Sequence, residues 1–127
     1  MKPYAFAAHL SPKAFQLALL RTSGELLEVR DVPGQGSSAL ILPNLAETIH
    51  LLSKQHGISL LDTEGIVLSL PVGVREDGTI EACPELGWES FNVERRMSVL
   101  TGVRVKALGP QKRFDPKSCL EQLLKET

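Results

Sequence analysis

Hydrophobic and polar positions follow a two-residue rhythm through the first quarter of the chain. An apolar run occupies 4–10, and Phe15, Leu17 and Leu19 alternate with Gln16 and Ala18 within 14–20. After the turn-forming Thr22-Ser23-Gly24-Glu25, alternation resumes over 26–32. Short connections between three such runs predict an antiparallel meander. Pro33-Gly34-Gln35-Gly36-Ser37-Ser38 breaks the pattern as a loop.

The rhythm then lengthens. Asn44 and Glu47 have the spacing of an N-cap and its acidic partner, which predicts a helix opening there. Leu45, Ile49 and Leu52 share its apolar face, and Gly57 supplies a stop. The short β-branched run 65–70, closed by Pro71, predicts a strand buried on both faces. A turn at Glu76-Asp77-Gly78 predicts a small hairpin over 74–82. Asn92 caps a second helix with Val93, Met97 and Leu100 on one stripe and Gly102 near its end. A strand is expected over 103–108. Asp115, with Pro116 in the first helical position, opens a last helix whose apolar side is Leu120, Leu123 and Leu124. Strand-helix-strand units cross over right-handedly, so the later strands are expected to add in parallel, giving a mixed sheet of about five strands. The expected architecture is one α/β domain over 1–127.

Composition narrows the function classes. A formal net charge of −1 argues against a dedicated nucleic-acid face, and Arg95-Arg96 is expected on a solvated helix surface. No apolar run reaches the ~20 residues of a membrane span, and the start has no signal-peptide pattern. Cys83 and Cys119 lie far apart, which suits two small core hydrophobes in a reducing cytoplasm. His9, His50 and His56 are scattered, and surface positions are expected for them.

The middle of the chain carries a more specific signal. The run 65–71, followed by Val74, Gly78, Ile80 and then Pro84-Glu85-Leu86-Gly87-Trp88, resembles the ROK family of sugar kinases and sugar-responsive repressors. In that family a buried strand leads into a Pro-Gly turn, a glycine-containing hairpin and a Pro-Asn-Leu or Leu-Gly-Trp segment before a helix. The resemblance covers about residues 4–110, with the terminal helix over 115–126 beyond it. It implies an actin-like, ribonuclease H-like sugar-kinase lobe, the amino-terminal one. It also implies ligand contacts at Gly73, Glu85 and Trp88, with a sugar or sugar-phosphate effector. For Trp88 a partly buried core position is the competing expectation.

Departures from the family pattern point away from catalysis. Where ROK kinases place Asp-x-Gly-Gly-Thr on the first hairpin, this chain has His9-Leu10-Ser11-Pro12-Lys13. Proline has no N–H, and without glycines a phosphate cradle of backbone amides is lost. Where the resemblance puts an Asn-Asp pair with the base for the sugar hydroxyl, Gly109-Pro110 stands. Cys119-Leu120-Glu121 echoes the end of the family's zinc motif, but one thiolate cannot build a tetrahedral site. No cofactor and no metal are expected, and the chain is not expected to be an enzyme. The expectation is a non-catalytic, sugar-sensing lobe of a NagC-like regulator, without a DNA-binding helix-turn-helix or a carboxy-terminal lobe and without direct DNA binding of its own. A vestigial kinase lobe and a small dimerising module are the alternatives. The last helix is expected either to fold over the lobe's own sheet or to dock on a second copy as a homodimer, the second being favoured.

Overall fold

The computed structural model describes residues 1–11, 14–33 and 40–125. Three strands lead: β1 (Tyr4–Leu10), β2 (Ala14–Arg21) and β3 (Leu26–Pro33). Helix α1 (Ile41–Gln55), strand β4 (Thr63–Ser69), helix α2 (Val93–Thr101), strand β5 (Val105–Leu108) and helix α3 (Pro116–Leu124) follow, with single 3₁₀ turns at Leu60–Asp62 and Pro84–Leu86. The sheet order is β3-β2-β1-β4-β5. β1, β2 and β3 form the expected antiparallel meander, while β4 joins β1 in parallel and β5 joins β4 in parallel. The mixed α/β sheet is thus the expected one.

Alternation assigns the side chains to two faces. On one face Phe6, Leu10, Leu17, Leu19, Ile66 and Leu68 are buried beneath Leu45, Ile49 and Leu52 of α1 and Val93 and Met97 of α2. On the other, α3 sets Cys119, Leu120 and Leu123 over Ala5, Ala7, Ala18, Leu20 and Val67. Each fully buried leucine contributes about 1.5–3 kcal/mol, so both layers are driven mainly by apolar burial. Of the two placements expected for the last helix, it takes the one over its own sheet. Gly65 makes this close approach feasible: a Cβ there would lie 2.9 Å from Leu123 Cδ1 and 3.0 Å from the Arg104 carbonyl.

Helix termini follow local chemistry. Asn92 Oδ1 accepts from the Arg95 N–H at 2.9 Å, and Asp115 Oδ1 accepts from the Lys117 N–H at 3.1 Å, both as expected. Gly57, at φ +68°, closes α1: its own N–H reaches the Lys54 carbonyl and the Ile58 N–H reaches that of Ser53. The start of α1 differs from expectation. The helix begins at Ile41, and its N-cap Leu40 makes no side-chain cap bond. Asn44 lies inside the helix, where its carbonyl accepts from Thr48 Oγ1 at 2.8 Å. Burying Leu42 favours the extra turn, and Pro43 tolerates a first turn because its missing N–H would have no helical partner.

One further correction concerns α2. Leu100 faces outward at 38% exposure, and Thr101 takes its place on the inward stripe with its hydroxyl donating to the Met97 carbonyl. The small hairpin forms around Gly78, with the antiparallel bridge Val74–Ile80 flanked by the Arg75 N–H bond to the Thr79 carbonyl and the Glu81 N–H bond to the Gly73 carbonyl. A further carboxylate ties the layers: Glu94 Oε2 accepts from the Ala107 N–H at 2.8 Å, at the outer edge of β5.

Candidate functional site

Parallel strands present their carboxyl ends to ligands in open α/β sheets. Here β1, β4 and β5 end side by side, with His9 paired to Ser69 and Ser69 to Leu108. That register brings together residues 60 positions apart: His9 Nδ1 lies 3.2 Å from Ser69 Oγ. Ser69 is fully buried, and His9 is half-buried with its ring stacked on Phe114, centroids 5.6 Å apart. The surface position expected for His9 is therefore corrected; strand pairing draws it inward. His50 and His56 are exposed, and His56 Nε2 meets Glu28 Oε1 at 2.8 Å. That contact, aided by Arg30, holds the Glu28 carboxyl below its ordinary range.

Beyond Ser69 the chain turns over the same edge. Gly73 accepts at its carbonyl from the Glu81 N–H, 3.1 Å away, and the Glu81 carboxylate packs over its α-carbon. Gly109, just past β5, sits against Val72 and Gly73, so the two turns meet. At the β1–β2 turn the Ser11 N–H and hydroxyl both donate to the Ala14 carbonyl, at 3.1 and 2.7 Å. The turn thus engages the Ser11 amide itself. Pro12 and Lys13, which complete the altered hairpin motif, lie outside the described residues, as does most of the loop that begins at Pro33. Chemically the edge offers the half-buried His9 imidazole, backed by the buried Ser69 hydroxyl, to a neutral polar ligand, with the Glu81 carboxylate beside Gly73.

The three candidate ligand residues do not converge. Gly73 lies at this edge. Trp88 is half-buried against the α1/α2 core and lines a separate groove of about 440 Å³ with Leu42, Pro43, Phe91, Arg96 and Leu100. Glu85 is exposed on the 3₁₀ turn and lines neither place. The local fold explains the split: Cys83 and Trp88 exchange backbone bonds at 2.8 and 3.0 Å around left-handed Gly87, and this tight turn directs Trp88 toward α2. Trp88 meets Phe91 edge-on at 5.3 Å, and the Arg96 guanidinium lies 4.4 Å over the Phe91 ring. His9, Ser69, Phe114 and Glu81 were not among the candidates. Matching the ends of the two parallel strands is the one sequence signal that would have brought His9 and Ser69 together.

Both cysteines are buried, as expected of core hydrophobes. Burial, with the Asp115 carboxylate adding to it, pushes the Cys119 thiol up to about 11. Among the described residues no helix is long and apolar enough to cross a membrane.

No protein-family model matches the sequence, and no curated protein matches it either. Solved structures do match. A ROK-family transcriptional regulator homologous to the E. coli MLC protein superposes with a TM-score of 0.72 at 17% identity, over 84% of this chain and 27% of that one. A ROK-family glucokinase from Streptomyces griseus, in complex with glucose and AMPPNP, gives 0.70 at 12% identity, over 84% and 33%. A ROK hexokinase from Thermus thermophilus gives 0.68 at 19% identity, over 84% and 35%. The chain therefore spans about a third or less of the length of these three proteins. At such identities the likeness is one of fold: the chain has the mixed five-stranded α/β architecture of an actin-like lobe found in ROK regulators and ROK sugar kinases alike.

Proposed function

We propose that this chain is a non-catalytic sugar-sensing lobe of a ROK-type regulator, of the NagC-like branch, acting in the cytoplasm. One observation carries the reading: the ends of β1 and β5, where the family resemblance places catalytic carboxylates, hold His9 and Gly109. Phosphoryl transfer needs a phosphate cradle and an oriented acceptor for the hydroxyl proton. The Ser11 amide is already bonded within its own turn, and Pro12 has none to offer. A half-buried histidine bonded to a buried serine suits recognition of neutral hydroxyls instead. Sugar contact at Glu85 or Trp88 is not part of this reading, because neither lies at the edge.

Thermal melting with glucose, N-acetylmannosamine and their 6-phosphates, beside ATP, tests the proposal. A sugar or sugar phosphate should raise the melting temperature, ATP should not, and His9→Ala should abolish the shift. Sugar-dependent ADP release that survives purification would sink it. The kinase reading has one observation in its favour, the Glu81 carboxylate packed over Gly73. If that reading holds, ADP release should disappear in Glu81→Gln.

A further inference from the structure

Helix α2 turns an unusual face to solvent. Val99 is 80% exposed and Leu100 38%, while Arg95 and Arg96 are exposed beside them. This face borders two depressions of about 440 Å³ each, which share Arg96 and Leu100. The first is floored by Leu42, Trp88 and Phe91, and the second runs along α2 past Asn92, Arg95 and Val99. Sharing Arg96 and Leu100, the two adjoin as one trough along α2.

Charge identifies the occupant. Arg21, Arg30 and Arg104 each lie within 4 Å of a carboxylate, Glu25, Glu28 and Glu64 respectively. Arg95 and Arg96 have no carboxylate partner among the described residues, and Arg96 is held in place by the Phe91 ring. Glu94, one residue away, is turned inward to the Ala107 amide and leaves the outer face positive. Glu89 lines the depression that holds Trp88. A second copy of the chain is a poor occupant, because pairing through α2 would gather the arginines of both copies. Nucleic acid is a poor one too, since two guanidiniums beside exposed Val99 make a mixed apolar surface on a chain of net charge −1.

We propose that the trough docks a short segment of a partner protein that carries carboxylates beside large apolar side chains. The apolar side chains seat near Trp88 and Leu42, and the carboxylates pair with Arg95 and Arg96 over α2. This docking is independent of any sugar binding at the carboxyl edge.

Fluorescence polarisation with the full chain tests it, using labelled synthetic peptides in which Asp or Glu is spaced with Leu, Phe and Trp at helical intervals. Acidic-apolar peptides should bind saturably and weaken as salt rises. Replacing every Asp and Glu by Lys, or using Arg95→Glu/Arg96→Glu protein, should weaken binding about tenfold or more. Val99→Ser, which changes only an exposed side chain, should weaken it independently of charge. Melting temperatures equal to that of the unmodified chain establish that the variants fold. The proposal fails if no peptide binds saturably, if the double arginine variant and Val99→Ser both bind as the unmodified chain does, or if a random DNA duplex binds more tightly than the acidic peptides.

Discussion

The two faces of the sheet are built to different specifications. Under α1 and α2 the strands contribute Phe6, Leu10, Leu17 and Leu19, large side chains that interdigitate with large side chains above. Under α3 three of their five buried contributions are the small Ala5, Ala7 and Ala18, beside Leu20 and Val67, and the helix sets Cys119, Leu120 and Leu123 against them. The first layer gains stability from volume filled by many partners. The second gains it from proximity, because small residues and Gly65 let one short helix come down close to the strands. A defect in the first layer should therefore leave a hole, while a defect in the second should lift a helix.

The largest expected effect is a hole. Leu45→Ala removes a fully buried side chain from the α1 layer and should cost about 2–5 kcal/mol in urea unfolding, with α3 still seated. Gly65→Ala is the opposite kind of defect. Its new methyl meets Leu123 and the backbone carbonyl of Arg104, so about 1–3 kcal/mol should be lost by overpacking. Thiol labelling separates the two, since Cys119 is buried with its thiol pushed up to about 11 and should react slowly in the native chain. Gly65→Ala should speed labelling of Cys119 more than that of Cys83, and Leu45→Ala should not. Equal acceleration at both cysteines would dissolve the distinction between the layers.

The caps sharpen the comparison at smaller scale. Asn92→Ala should cost about 1–2 kcal/mol and Asp115→Ala about 1 kcal/mol. Asn92 loses more because its amide also donates to the Asp77 carbonyl, tying α2 to the preceding turn. Chemical denaturation of both variants measures the difference, and a larger loss at Asp115 would contradict it.

The smallest effect belongs to Glu28, which links β3 to the end of α1 through His56 and Arg30. Its carboxyl is held below the ordinary value first by the His56 hydrogen bond, and folding therefore favours its charged form. This stabilisation is complete above the ordinary carboxylate pKa and is lost as pH falls through the lowered folded value. Glu28→Gln should cost less than about 1 kcal/mol near neutrality, given the exposure of the pair, and nothing in strong acid. A difference that persists in strong acid would assign the loss to packing instead.

Most elements were legible because their signals are local. Alternation placed the three meander strands within a residue or so, and Asn92, Asp115, Gly57 and Gly102 marked real helix ends. The start of α1 escaped because burying Leu42 outweighed a well-spaced capping pair. The site was less legible than the fold. Gly73, Glu85 and Trp88 are near in sequence but are separated by a turn that sends Trp88 away. His9, Ser69 and Phe114 are distant in sequence and meet only through register and the path after β5. Side-chain convergence of that kind has no local signature.

The bond from the Ala107 amide to Glu94 bears on how this protein behaves when crowded. β5 is the last strand of its sheet, and a terminal strand with open amides can recruit another chain and begin an aggregate. A carboxylate already occupies one of those amides, and the strand is only four residues long, so it makes a poor template. At the opposite margin, β3 is eight residues long but carries Glu28, Arg30 and Asp31, whose charges would have to be desolvated by any incoming strand. The two margins thus resist runaway stacking by different means, one by occupancy and brevity, the other by charge.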